Sequence, residues 1–163
     1  MKKYHVGGYV KLAKLWERAK DDAVAYHSTY YLEKFKNDSD MELVGVYIDI
    51  TGNKEIYQRP EMVHLICDCM SGKVNLISAQ TRAYLAPNVS SFCFLLKYLF
   101  DAPNQIDIVT DDDDQRIDTI LNIEMQRESL RMLAENYVKI RNSDYERWKM
   151  KLETAMIKEC RGE

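Results

Sequence analysis

An arginine at the end of a short apolar stretch is the first candidate for chemistry in this sequence. Residues 74–77 (VNLI) are apolar enough for a buried strand, and they follow a turn at Ser71 and Gly72. Polar residues then lead to Arg82, before a break at Pro87. In an open α/β sheet, ligands bind at the carboxyl ends of the strands, and a guanidinium pairs well with phosphate oxygens. Arg82 is therefore a candidate anion-binding residue, and a solvated loop arginine is the alternative interpretation.

Cysteine and histidine form a second group that could do chemistry. His64, Cys67 and Cys69 lie close together, which would suit a metal cluster, but the usual zinc-ligand spacings are absent. Packing of thiols along an amphipathic helix is the preferred interpretation. A chain of this size is also not expected to use its cysteines as a disulfide framework; they are Cys67, Cys69, Cys93 and Cys160. No metal or cofactor is expected.

Residues 111–114 are four consecutive aspartates. Such a run can bind a divalent cation, but negative charge is also favoured at the N-terminus of a helix. A solvated loop that leads into a helix is the preferred interpretation.

The elements that must position these residues alternate between strands and helices. A nearly continuous apolar run at 43–50 is typical of a parallel strand buried on both faces. Strands are predicted at 6–12, 43–50, 74–77 and 105–109, and helices at 21–36 (with Asp21 as N-cap), 60–70 and 89–100. This alternation predicts a three-layer α/β domain with a mostly parallel sheet of four to five strands.

The last third of the chain predicts a long helix. Apolar residues recur at helical intervals from about residue 115 onward, and only 142–144 could interrupt them. A helix of this length needs a partner surface. We therefore divide the chain into an α/β part at 1–118 and a protruding, dimerisation-type helix at 119–163, within one domain unit.

Composition sets limits on location and partners. The 163 residues suit one domain with a real core. No apolar run reaches the roughly 18–20 residues needed to cross a bilayer, and the N-terminus lacks a secretory pattern, so a cytoplasmic location and no membrane partner are expected. The net charge of −3 does not indicate bulk attraction to nucleic acid. Any DNA contact would be local or provided by a partner.

Several short motifs occur in order along the chain. They are Asp49-x-Thr51-Gly52, Arg59-Pro60, Gly72-Lys73-Val74, Thr81-Arg82 and Ile117-Asp118-Thr119. Their order resembles the catalytic domain of serine recombinases, the resolvase/invertase family and the related large integrases of mobile elements. The resemblance covers roughly residues 6–140, most of the chain, and 126–131 are similar to the start of the family's dimerisation helix.

The resemblance implies metal-free phosphoryl transfer on DNA. In the family, a serine hydroxyl attacks a DNA phosphodiester to form a 5′-phosphoserine linkage, and arginines clamp the phosphate oxygens. Arg82 and Arg59 match two of those arginines. Lys11 stands where the strand-one arginine belongs, Ala13 where the nucleophile belongs, and Leu85 where the second strand-three arginine belongs. Because alanine has no nucleophile, the site is expected to be impaired, with Lys11, Arg59 and Arg82 as residual clamp positions.

Three functions remain open from the sequence. The favoured one is an impaired recombinase-like domain whose C-terminal helix forms a homodimer, or a heterodimer with an active recombinase, and which binds DNA weakly or through that partner. The second is an active recombinase with a displaced nucleophile, Ser28 or Ser78. The third is a structural or small-ligand module in which Arg59 and Arg82 form only surface ion pairs. The family's separate DNA-binding region is not expected beyond the long helix, which implies a remnant or a fragment.

Overall fold

Four parallel strands form the centre of the computed structural model, which describes residues 3–112 and 119–160. The strands are β1 (Tyr4–Leu12), β2 (Met41–Ile50), β3 (Leu76–Ala79) and β4 (Asp107–Thr110). Their order in the sheet is β2-β1-β3-β4, and each neighbouring pair is parallel. The predicted mostly parallel α/β sheet is therefore confirmed.

Six helices accompany the sheet within the described residues. They are α1 (Lys20–Phe35), α2 (Pro60–Met70), α3 (Arg82–Leu85), α4 (Val89–Phe100), α5 (Thr119–Lys139) and α6 (Asn142–Cys160), with 3₁₀ turns at Lys14–Ala19 and Ile56–Gln58. The bounds predicted for α2 and α4 are confirmed. The predicted N-cap of α1 is wrong, because the helix begins one residue earlier, after Ala19.

Both faces of the sheet are covered by buried apolar side chains. Tyr31 and Phe35 of α1 pack against Val6 and Val10 on one face, and residues of α2 and α4 pack on the other. Gly8 permits the approach of α1, because a Cβ there would lie 2.9 Å from the Tyr31 ring. The three-layer arrangement follows from this double burial.

The C-terminal segment is two helices rather than one protruding helix. Arg141 lies between α5 and α6, with its guanidinium 4.0 Å from the centre of the Tyr137 ring, and its carbonyl accepts a hydrogen bond from the Tyr145 N–H. From there α6 folds back along α2 and α4. It buries Tyr145, Trp148 and Leu152. The expected interruption near 142–144 is confirmed, and the single protruding helix is wrong because these apolar residues find their partners within the chain.

The return of α6 also corrects the interpretation of the cysteines. Cys67 of α2 and Cys160 at the end of α6 are joined by a disulfide bond, whereas Cys69 and Cys93 are free and buried. The predicted packing as a thiol is therefore wrong for Cys67, whereas the free, buried Cys69 agrees with it. The two bonded cysteines are 93 positions apart in the sequence, and only the return of α6 brings them into contact. None of the described helices is both long and apolar enough to cross a membrane.

Candidate functional site

The carboxyl ends of the four strands meet at one edge of the sheet, which is where an open α/β fold binds ligands. Lys11 lies beside Asp49 in the pairing of β1 with β2. The Thr51 N–H donates to the Leu12 carbonyl at 3.0 Å and closes the edge beyond this pair. The segment that carries Arg82 follows β3 to the same edge. Lys11 and the segment that carries Arg82 therefore lie at the same edge of the sheet.

Ala13 lies in the open at this edge. It is exposed, its backbone is extended with φ −65° and ψ 152°, and its carbonyl accepts a hydrogen bond from the Trp16 N–H at 3.0 Å. The 3₁₀ turn that follows, Lys14–Ala19, has no buried residue. An exposed methyl group thus stands at the end of β1.

Lys11 lies two residues earlier, in β1, and is half-buried. Its Nζ donates to the Thr51 carbonyl at 3.3 Å. Burial lowers the pKa of Lys11, and the positive charge of Arg59 lowers it further. Lys11 therefore brings a cation to the edge, in a setting that weakens its hold on the proton.

Arg59 lies beneath the edge rather than on it. Only 1% of the residue is exposed. Its Nη1 donates to the Tyr84 carbonyl at 2.7 Å and its Nη2 donates to the Lys54 carbonyl, also at 2.7 Å. These bonds fasten the loop after β2 to the single turn of α3. Both terminal nitrogens of the Arg59 guanidinium thus donate to backbone carbonyls. Its Nε has no acceptor among the described residues.

Asp49 is a residue whose role the sequence did not reveal. Its carboxylate is buried and accepts the N–H groups of Glu61 and Met62, both at 2.9 Å. It thereby caps α2 from the neighbouring strand, where Arg59 at the N-cap position provides no side-chain cap. It also accepts the Tyr9 hydroxyl at 2.7 Å. The missing cap before Pro60 was the only signal in the sequence.

Arg82 begins α3, and its backbone N–H donates to the Asp112 carboxylate at 2.8 Å. The Thr81 hydroxyl donates to the same carboxylate oxygen at 3.0 Å. The Arg82 guanidinium is half-buried and lies 5.3 Å from the centre of the Phe92 ring. This contact holds the side chain at the rim of the edge.

The acidic turn is used as a set of hydrogen-bond acceptors. Asp112 holds the start of α3. Asp111 accepts the Tyr30 hydroxyl at 2.6 Å and pairs with Lys34 of α1. Burial, together with the hydrogen bond to Asp111, raises the pKa of Tyr30 to about 12. Asp113 and Asp114 lie outside the described residues, as do Ile117 and Asp118 of the motif before α5.

The remaining sequence candidates lie in the interior or on a helix. Leu85 is fully buried within the core cluster of α2 and α4. Ser78 is also fully buried, and its hydroxyl has no hydrogen-bond partner among the described residues. Ser28 is half-buried on α1. In residues 3–112 and 119–160, no group of His, Cys, Asp and Glu is arranged to hold a metal ion.

Comparison with known proteins adds to this geometry at the level of the fold. No protein-family model matches the sequence, and no curated protein is significantly similar to it. Among solved structures, the N-terminal catalytic domain of TP901-1 integrase matches with a TM-score of 0.59 at 20% identity, over 86% of this chain and 99% of that one. A resolvase-family site-specific recombinase from Streptococcus pneumoniae matches with a TM-score of 0.51 at 18% identity, over 94% and 99%. The chain therefore has a serine-recombinase-like fold.

Proposed function

We propose that this chain is an impaired serine-recombinase-like domain that acts in DNA recombination by associating with a partner rather than by cutting DNA. The observation that carries the proposal is the exposed methyl group of Ala13 at the end of β1. It stands where the resemblance places the attacking hydroxyl, on a recombinase-like fold. A methyl group cannot form a phosphoester.

The surroundings of Ala13 support the same proposal. A phosphate clamp needs guanidinium groups that face the ligand. Arg59 is instead turned onto the carbonyls of Tyr84 and Lys54, and Leu85 lies in the core. Lys11 and Arg82 remain at the edge. Two such cations favour weak attraction of a DNA phosphate rather than a built catalytic clamp.

A surface of α5 supports association. Three large apolar side chains lie exposed at helical spacing on one side of this helix; this α5 stripe consists of Leu121, Met125 and Met132. Leu133 is exposed beside it. Ile140 follows just beyond the helix and is 76% exposed. Leu130, Ala134 and Val138 on the other side of α5 are buried in the core. A helix that is apolar on both sides calls for a second partner, here a second copy of α5 or the matching helix of an active recombinase.

The test is the mass of the protein in solution. We expect a concentration-dependent dimer, or a complex with a recombinase catalytic domain, because pairing removes the α5 stripe from water. A double variant, Met125→Glu with Met132→Glu, is expected to be monomeric and to lose both complexes. The measurement is sedimentation velocity between about 1 and 100 μM, the range of weak to moderate association.

Met150→Glu is the matched control, since Met150 is equally exposed but lies on α6. It should leave the mass unchanged. A wild-type chain that stays monomeric throughout this range and captures no recombinase domain would contradict the proposal.

A further inference from the structure

The disulfide between Cys67 and Cys160 joins the two ends of the α2–α6 contact. The Cα atoms are 6.3 Å apart, which is within the range that a disulfide spans. Cys67 lies in the last half of α2, and Cys160 is the last residue of α6. The bond therefore fixes the end of the helix that returns along the body of the protein.

A polar bridge lies beside the disulfide and joins the same two helices. His64 of α2 has its Nδ1 3.3 Å from the Glu61 carboxylate and its Nε2 3.2 Å from the Glu159 carboxylate of α6. These three residues and both cysteines line an open cleft of about 410 Å³. Further back, Trp148 and Leu152 hold α6 by burial. Ala155 and Met156 also pack against the core, so only the final turn of α6 is attached mainly by the disulfide and one half-exposed polar bridge.

The two sulfur-bearing residues are open to exchange. Cys160 is exposed and Cys67 is half-buried, so a dissolved thiol can reach the bond. Exposed disulfides are the ones that exchange readily, whereas structural disulfides are protected. It is also the sole disulfide among the described residues, since Cys69 and Cys93 are free and buried. A single accessible disulfide is typical of a reversible role rather than of a stapled scaffold.

We propose that Cys67 and Cys160 form a reversible thiol–disulfide latch that fixes the final turn of α6 on α2 when oxidised and releases it when reduced. In the closing reaction, one cysteine thiolate attacks a small-molecule disulfide such as glutathione disulfide and expels one thiolate. The second cysteine then attacks the mixed disulfide and expels the other. Two protein thiols lose two electrons, and one disulfide is reduced to two thiols. The proposal does not depend on the recombination-related role.

The test is made on the full chain equilibrated with glutathione disulfide or with reduced glutathione. After denaturation and thiol labelling, mass spectrometry should count two free thiols in the oxidised chain, Cys69 and Cys93, and four in the reduced chain. Hydrogen exchange at the amides of residues 157–160 should be at least tenfold faster in the reduced chain, with the central turns of α6 unchanged. The oxidised chain should have a Tm about 5–10 °C higher, because the crosslink restricts the unfolded state.

Cys160→Ser is the control, because this exposed position tolerates a polar side chain. In this variant, neither the hydrogen exchange nor the Tm should respond to the glutathione ratio. Four free thiols in glutathione disulfide would overturn the proposal, as would a response that persists in Cys160→Ser. Stoichiometric zinc in the purified chain, with two thiols blocked until a chelator is added, would also overturn it. Each of these readouts is independent of dimer formation, so failure of the latch and failure of the proposed function are distinguishable.

Discussion

At the scale of single residues, the edge of the sheet illustrates how an arginine can keep its place and change its task. Arg59 keeps the sequence position that the resemblance assigns to a clamp, but its guanidinium holds the Lys54 and Tyr84 carbonyls. Its positive charge lowers the pKa of Lys11. The same charge opposes the rise in the pKa of Tyr9 that burial and Asp49 cause. Arg59 therefore organises the edge from below, through the loop and the turn that it joins.

Leu85→Arg is expected to destabilise the protein, although it restores the residue type that the resemblance calls for. Leu85 is fully buried, and its carbonyl is 3.5 Å from Arg59 Nη1. A new guanidinium there would be desolvated beside an existing positive charge. We expect the free energy of unfolding to fall by about 3–5 kcal/mol, measured by urea denaturation.

Leu85→Met is the matched control and should cost less than about 1.5 kcal/mol, since it nearly conserves volume without adding charge. An arginine variant as stable as the methionine variant would contradict the burial of this position. The reason matters for the site: a nucleophile restored at Ala13 could not be given the second arginine without rebuilding the core around α3.

At the scale of elements, α5 is held to the sheet by a partly buried ion pair. Arg127 Nε and Nη2 donate to the two Asp107 carboxylate oxygens at 2.8 and 2.9 Å. Asp107 is buried at the start of β4, and its charge, through these hydrogen bonds, raises the pKa of Arg127. The pair, together with the buried Leu130, Ala134 and Val138, holds one side of α5 inward, so the α5 stripe turns outward.

Asp107→Asn is expected to loosen this attachment. The amide keeps the size of the side chain but leaves the Arg127 charge without its bidentate partner. We expect the free energy of unfolding to fall by about 2–4 kcal/mol. Glu128→Gln is the matched control, because Glu128 is exposed and its contact with Arg131 is long, at 3.8 Å. This substitution should change the free energy of unfolding by less than about 0.5 kcal/mol. Equal effects of the two substitutions in urea denaturation would contradict the assignment.

The helices show which features a sequence can reveal. The helices at 60–70 and 89–100 have the bounds that their apolar patterns predict. The structure adds that the Asn88 side chain caps the second of them. The strands were found from their apolar runs, with ends displaced by about two residues. The return of α6 was not predicted, since periodicity shows an apolar side without showing whether its partner lies in the same chain. The orientation of Arg59 is likewise not predictable from the sequence, because it depends on carbonyls of Lys54 and Tyr84 that only the fold brings close.

At the scale of the whole molecule, tyrosines link the layers. Tyr31 of α1 donates its hydroxyl to the Tyr9 carbonyl of β1 at 3.2 Å and to the Ser78 carbonyl of β3 at 3.1 Å. Tyr47 of β2 donates to Asp68 of α2. The Tyr145 ring of α6 lies 5.7 Å from the Phe94 ring of α4, centre to centre. Because these phenols donate hydrogen bonds or lie in apolar surroundings, the folded protein requires them in the neutral form.

The protein is therefore expected to lose stability steeply in alkali. Burial raises the pKa of Tyr9, Tyr31, Tyr47 and Tyr145 above the ordinary value, and the Asp49 carboxylate raises that of Tyr9 further. A group whose pKa is raised in the folded state contributes stability that is complete below its unfolded pKa, about 10 for tyrosine. Above pH 10, each of the four reduces the free energy of unfolding by about 1.4 kcal/mol per pH unit, because only the unfolded chain ionises there.

Lys11 acts in the opposite direction, since its pKa is lowered in the fold, but it is one partly buried group against four tyrosines. Urea denaturation between pH 7 and pH 12 checks the expectation, with tyrosinate absorbance followed in the same samples. Tyr9→Phe should reduce the alkaline slope by about 1.4 kcal/mol per pH unit while lowering stability at neutral pH, where the hydrogen bond to Asp49 is lost. Two results would show that these four phenols do not hold the layers together. One is a free energy of unfolding that stays level to pH 12, and the other is ionisation of all eleven tyrosines near pH 10 before the protein unfolds.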